Sequence, residues 1–330
     1  MPRLSEDELI ARFFAPLAGP AGLGLADDAA CLTPPPGHDL VLTTDMLMAG
    51  VHFFADDPAD SIARKALRVS LSDLAAKAAE PLGFLLSFGL QQDWTEAWLA
   101  AFAAGLADDA KTYGCPLIGG DTVEAAGGLA LSITAIGAVP RGAMVPRPGV
   151  ADGDVLYVTG TIGDAALGLR LFRAVEADRA WIDRLGTAAR DHLRRRYLLP
   201  LPRLGMRQVL QAHAHAAMDV SDGLAGDLAK LLRLTGMSAE IACADVPLSE
   251  AAQAALSEDP TLIVPILSGG DDYEILCAVA PAAAAAFEAA AGAAGVAVTA
   301  IGRASRGAEA PLFKTAAGPV ALSALSYQHF

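Results

Sequence analysis

Aspartate is the residue type in this chain whose spacing could do chemistry. Asp27-Asp28, Thr43-Thr44-Asp45, Ser72-Asp73, Gly119-Gly120-Asp121 and Asp219-Val220-Ser221-Asp222-Gly223 form five sites. Most follow or interrupt an apolar, strand-like run, while Asp73 falls inside a predicted helix. A strand end fixes the direction of a side chain, and glycine removes the Cβ that would keep a phosphate or metal away. Magnesium takes hard oxygen ligands in octahedral geometry, commonly one or two carboxylates together with phosphate oxygens and waters. Converging aspartates would repel one another unless cations held them. Taken singly, an Asp after Gly or Ser is an ordinary turn or N-cap residue, and Asp222-Gly223 ahead of the helical stretch 224–234 also suits a cap. Their number, and their placement beside apolar runs, point to divalent metal and phosphate.

The elements that must position them read as follows. Ser5 with Glu8 makes a capping box for a helix carrying Leu9, Ile10, Phe13, Phe14 and Leu17 at helical spacing. Strands are predicted at 29–33 and 39–44, divided by the Pro34–Gly37 turn, then at 82–90, 116–119 and 129–139, with helices over 60–79 and 95–113. The Pro- and Gly-rich stretch 140–153 is the expected connection. Beyond it come strands at 155–159, 216–220, 238–242, 274–279 and 296–301, with helices at 164–175 and 181–197. Strands and helices mix without strict alternation, so the reading is two α+β (mixed α/β) domains, 1–147 and 148–330.

Composition narrows the function. With 330 residues, 53% hydrophobic and 19% charged, the chain can bury a large core and is not disordered. Its hydropathy comes largely from alanine, and no window of about 20 apolar residues suits a membrane span. The acidic start lacks the basic-then-apolar pattern of a signal peptide, which places the protein in the cytoplasm. A net charge of -14, with Arg194-Arg195-Arg196 as its densest basic run, argues against nucleic acid as a partner; that run reads as a solvated helix face. Four scattered cysteines without a CxxC pair read as buried free thiols. There is no P-loop, no dinucleotide fingerprint and no protein-kinase catalytic loop, so metal and arginine must meet the phosphate charge.

The order of motifs is specific. GLADDAA at 24–30, TTDML at 43–47, GVHF at 50–53, SDLAA at 72–76, GGDT at 119–122, DVSDGL at 219–224, SGGDDYE at 268–274 and YQHF at 327–330 together resemble the thiamine-monophosphate kinase family. That family lies in the wider group of aminoimidazole-ribonucleotide synthetase and selenophosphate synthetase. The resemblance spans essentially the whole chain. It implies the two-domain aminoimidazole-ribonucleotide synthetase-like fold, and a homodimer in which N-terminal sheets pair across a two-fold. The implied reaction is transfer of the γ-phosphoryl group of ATP to thiamine monophosphate with several Mg2+ ions. It also implies a magnesium shell of Asp27, Thr43, Thr44, Asp45, Asp73, Asp121, Asp219 and Asp222. ATP contacts would fall to Tyr113, Gly120, Asp121, Arg147 and Ser221, and thiamine phosphate contacts to His52, Asp271 and Tyr327. The chain departs from the family pattern at Ala26 (usually Gly), Asp271 (usually Glu) and Gln328 (usually Asp). Rival readings are another ATP-using enzyme of the wider group, or a non-catalytic nucleotide- and metal-binding relative.

The acceptor in such a reaction is a phosphate oxygen, with a second pKa of about 6, so it is largely ionised at neutral pH. No residue is therefore expected to act as a general base. The obstacle is repulsion between two anions, which carboxylate-held cations relieve.

Overall fold

The computed structural model describes residues 4–322 and 324–326. The chain forms two compact units: Met1–Leu74 with Ala79–Met144, and Ala75–Ala78 with Val145–Phe330. The expected end of the fourth motif, at 75–76, thus groups with the second unit.

In the first unit the capping box forms as expected, with the Ser5 N–H donating to Glu8 at 2.8 Å, and opens α1 (Glu6–Leu9). The chain then winds through irregular turns instead of one regular helix. The strand expected at 29–33 does not form. Cys31 N–H reaches Ala21 O, no strand lies alongside, and without a ladder an apolar run stays a loop. Next come β1 (His38–Met48), α2 (Ala59–Ala76), β2 (Glu80–Gln91), α3 (Glu96–Tyr113), β3 (Leu117–Ala125) and β4 (Ala130–Pro140). The sheet order is β1-β4-β2-β3, with only β2–β3 parallel, as the α3 crossover requires.

Alternation in the strands sets the two faces. Phe84, Leu86, Phe88 and Leu90 of β2 are buried, and Phe88 stacks on Phe102 of α3 with centroids 4.8 Å apart. Thr95 caps α3 by accepting Trp98 N–H at 3.1 Å, and Gly114 ends it in the left-handed region. Buried Asp109 joins α3 to α2 by accepting from Arg64 and Arg68 at 2.9 and 2.5 Å.

The second unit contains β5 (Val155–Thr159), α4 (Asp164–Arg173), α5 (Arg179–Arg184), α6 (Thr187–Leu198), α7 (Arg207–His213), β6 (Ala214–Val220), α8 (Leu224–Arg233) and β7 (Met237–Ala242). It continues with α9 (Glu250–Glu258), α10 (Ile263–Ser268), β8 (Glu274–Val279), α11 (Ala284–Ala293), β9 (Val298–Arg306), β10 (Leu312–Thr315) and β11 (Gly318–Pro319). Seven strands order as β11-β10-β7-β9-β5-β8-β6. Both faces of this sheet are covered. Leu156, Val158 and Leu276 join one core with Leu224, Leu228 and Leu231, while Val155, Tyr157 and Ile275 join another with Val209, Leu210 and Phe287. That is why β5 and β8 read as unbroken apolar runs.

Three expectations are corrected here. The helix at 181–197 is two helices, because Leu185 and Gly186 are both extended between α5 and α6. Arg196 is buried, unlike the exposed Arg194 and Arg195, because it pairs with Glu274 at 2.9 Å. Cys31 is exposed because its segment forms no strand, while Cys115, Cys243 and Cys277 are buried; all four thiols are free.

Candidate active site

Within the first unit the sequence-predicted residues fall into two groups. Successive β1 residues point to opposite faces, so Thr43 and Asp45 face α2. Thr43 Oγ1 donates to Asp73, and Ser70 Oγ donates to Asp45 Oδ2 at 2.7 Å. Burial pushes the Asp45 carboxyl up to about 6; the Ser70 hydroxyl opposes that rise and the Asp73 charge adds to it. Two carboxylates that destabilise each other in a partly buried place form a natural position for a cation.

Thr44 lies on the other face, where it accepts from Thr134 Oγ1 at 3.0 Å. Thr134 in turn lines a cavity of about 790 Å³ with Asp27, Asp28, Gly119, Gly120 and Asp121. Its apolar wall includes Ile10, Phe14, Leu25 and Ile136. Glycine is obligatory at 120: a Cβ there would lie 1.9 Å from Leu86 O, in the strand paired with it. The GGD motif thus keeps β3 tight against β2 while Asp121 borders the cavity. Asp28 lines the cavity as Asp27 does, although the motif reading assigned only Asp27 to metal.

His52 sits in the turn after β1. Its Nδ1 accepts Met48 N–H at 3.1 Å, and its own N–H donates to Met48 O at 3.0 Å. A ring that accepts at Nδ1 carries its proton on Nε2. Tyr113 ends α3, with the Arg68 guanidinium 5.7 Å from its ring centroid, and is not among the residues around the cavity.

In the second unit two loops interlock. Asp219 is buried near the end of β6, with Ser221 and Asp222 just beyond. The loop before β8 answers them: Asp271 N–H donates to Ser221 O at 2.9 Å and Tyr273 N–H to Val220 O at 2.8 Å. Gly223 has φ 113°, and a Cβ there would meet Ser268 C at 2.6 Å. Asp271 itself is left-handed, with φ 75°, a region that short polar side chains tolerate best. Arg147 is exposed on the segment ahead of β5, and Tyr327 and Gln328 lie outside the described residues.

Three supporting acids escaped the motif reading. Asp227 on α8 accepts Ser221 N–H at 3.0 Å and Asp222 N–H at 2.9 Å. Lys230 spans Asp227 at 2.9 Å and Asp222 at 2.5 Å, so a lysine does meet this loop. Asp272, wholly buried, accepts Gly163 N–H at 2.7 Å at the start of α4; burial pushes its carboxyl well up. Glu274, equally buried, is held by Arg203 at 2.6 Å and Arg196. The signal for Asp227 and Glu274 was a charged residue at a buried helical or strand position; Asp272, in the loop before β8, gave none.

Among the described residues no three His, Cys, Asp or Glu side chains form a ready-made metal cage. The carboxylate sets nevertheless suit magnesium, which needs only one or two protein carboxylates when phosphate supplies the remaining oxygens. No helix among the described residues is long and apolar enough to cross a membrane.

Residues 26–139 match the family model for AIR synthase related protein, N-terminal domain, and residues 151–312 that for the C-terminal domain. Fold and site define a two-domain protein of the AIR synthase related class. Over 305 residues the chain is 44% identical to the thiamine-monophosphate kinase of Caulobacter vibrioides, covering 90% of this chain and 83% of that protein. The crystal structure of the thiamine-monophosphate kinase from Stenotrophomonas maltophilia K279a superposes with TM-score 0.79 at 36% identity, covering 90% of this chain and 91% of that one. A structure of AaThiL complexed with AMPPCP and TMP superposes with TM-score 0.77 at 27% identity over 100% and 99% of the two chains. This chain belongs to the thiamine-monophosphate kinase family.

Proposed function

We propose that this protein transfers the γ-phosphoryl group of ATP to thiamine monophosphate, giving ADP and thiamine diphosphate. The observation that carries this is a match along nearly the full chain to a relative that bears this activity in its name. A solved relative complexed with AMPPCP and TMP supports both substrates. ATP is the co-substrate and Mg2+ the metal. In the first unit Asp27, Thr43, Thr44, Asp45, Asp73 and Asp121 are the magnesium ligands, with Asp28 added from its place in the cavity. In the second unit Asp219 and Asp222 are the candidates. Bound there, magnesium would neutralise phosphate charge and align the acceptor oxygen with the γ-phosphoryl group.

Gly120 and Asp121, beside an apolar wall, suit ATP; Tyr113, Arg147 and Ser221 are assigned to it from the motif pattern. His52 offers Nε2–H to the phosphorylated thiamine; Asp271 and Tyr327 are assigned to the same substrate from the motif pattern. No side chain is assigned as general base, since the acceptor phosphate is already ionised near neutral pH. Purified protein incubated with ATP, Mg2+ and thiamine monophosphate should yield thiamine diphosphate. A product level no higher than background would sink the assignment and leave a nucleotide-binding relative without turnover.

The protein is further read as a homodimer. β1 is an edge strand, and Leu40, Leu42, Met46 and Met48 expose an apolar row along it, with Leu42 62% and Met46 58% exposed. Such a face is ordinarily covered, here by a second copy. Free thiols and the use of ATP support the reading that the protein works in the cytoplasm.

A further inference from the structure

We propose that Lys65 is a positioning residue for substrate binding, its buried ammonium holding the turn that presents the His52 ring. The inference rests on the assignment of His52 to thiamine monophosphate. Lys65 belongs to α2 and is only 2% exposed, one of the largest fully buried side chains in the protein. Its Nζ donates to His52 O at 2.9 Å. Burying an ammonium costs several kcal/mol even after relaxation, whereas an apolar side chain of similar size would fill the same space without that cost. A lysine kept there is doing something other than packing.

The surroundings show what it holds. Asp57, 6% exposed, accepts Phe54 N–H at 2.9 Å. Burial raises the Asp57 carboxyl, and the Phe54 N–H and the Lys65 charge both work against that rise. The turn is thus gripped at the His52 carbonyl by a cation and at the Phe54 amide by an anion, and the two charges answer each other. On its other side Met48 N–H fixes Nδ1 of the His52 ring at 3.1 Å. Fixing the carbonyl of His52 sets the peptide plane from which its side chain springs. Fixing Nδ1 selects the tautomer that donates from Nε2, which is the hydrogen a phosphate oxygen needs. Gly50, with φ 80°, allows the chain to turn tightly enough for both contacts.

The test compares Lys65→Met, Lys65→Arg, Asp57→Asn and His52→Ala by steady-state kinetics and by ¹⁵N spectra of the His52 ring. In Lys65→Met the KM for thiamine monophosphate should rise about tenfold, the worth of one charge-assisted hydrogen bond. The KM for ATP and kcat should stay within about twofold, and the ring signals should shift toward a mixture of tautomers. Lys65→Arg should recover part of the affinity. Should Lys65→Met fail to fold, Asp57→Asn decides. It keeps an acceptor for Phe54 N–H but removes the charge, and should give the same selective rise, by about threefold. An unchanged KM in these variants, with His52→Ala raising it, overturns the role of Lys65 and leaves His52 in place. An unchanged KM in His52→Ala overturns the His52 assignment and this inference with it. Equal rises in both KM values, or a fall in kcat with an unaltered ring spectrum, would make Lys65 a scaffold residue only.

Discussion

Ser70 Oγ, on helix α2, donates at 2.7 Å to the Asp45 carboxylate that follows the paired threonines of β1. The bond lowers the Asp45 pKa, but burial outweighs it and Asp73 adds to the rise, leaving the carboxyl at about 6. An unfolded Asp titrates near about 3.9, so the folded protein binds this proton more tightly than the unfolded chain. The stabilisation is fully present below about pH 4 and is lost as pH rises through about 6. In EDTA, the melting temperature of the wild type should therefore fall across that window relative to Asp45→Asn, which cannot ionise. A metal ion must displace the same proton, so apparent Mg2+ affinity should weaken below about pH 6 in the wild type. Asp45→Asn should fold and lose turnover. Parallel melting curves across pH 4 to 7 for the two proteins would remove Asp45 from this role.

Gly120→Ala tests the strand geometry behind the cavity. The added methyl would lie 1.9 Å from Leu86 O, and a backbone carbonyl inside a sheet cannot swing aside. β2 and β3 must part or shift, which should cost about 2–4 kcal/mol. Chemical denaturation reads that cost, and binding of an ATP analogue should weaken in the fraction that stays folded. Asp121→Ala, in contrast, should leave stability within about 0.5 kcal/mol and remove turnover. The pair separates a residue that shapes the sheet from one whose side chain borders the cavity.

Much of this was legible along the chain because it is local. Alternation in β1 and β2, the Thr95 cap and Gly114 stop of α3, and the Gly-Gly-Asp before Thr122 all announce themselves within a few residues. What stayed hidden depends on distant partners. Arg196 looked like one of three solvated arginines until Glu274, far along the chain, turned up beside it. Residues 29–33 have strand composition but no neighbour to pair with, and β10 and β11 gain their strand character from a ladder that local composition does not reveal. Asp227 falls within the helical stretch 224–234 with no motif to single it out, and its carboxylate accepts the N–H groups of Ser221 and Asp222. For Arg196 and these strand runs the deciding energy is a long-range contact, and for Asp227 it is a side-chain contact to a neighbouring loop; periodicity is blind to both.

Asp271 separates backbone from side-chain requirements. Its φ of 75° lies where Asp costs less than most residues and Gly costs nothing. Asp271→Glu, which restores the residue usual in the resembling family, should lose only a few tenths of a kcal/mol of stability. It should keep kcat, and its KM for thiamine monophosphate should hold or fall. Asp271→Gly should be as stable as the wild type or up to about 1 kcal/mol more so, yet bind thiamine monophosphate more weakly. Thermal melts and KM values for both variants check this. Tighter substrate binding in Asp271→Gly would show that the carboxylate does not meet the substrate.

The exposed row on β1 makes the last prediction. Leu42 projects from an edge strand, on the same face as Leu40 and Met46. At about 25 cal/mol per Å², burying such a row against a second copy stabilises a dimer by several kcal/mol, and one carboxylate at its centre should cancel most of that. Leu42→Glu should therefore shift sedimentation or light-scattering mass from two chains to one at micromolar concentration. Because Leu42 is largely exposed in its own chain, the far-ultraviolet dichroism should not change. A wild-type protein that runs as a monomer would leave this face needing another cover, and a Leu42→Glu protein that stays dimeric would move the interface elsewhere on the surface.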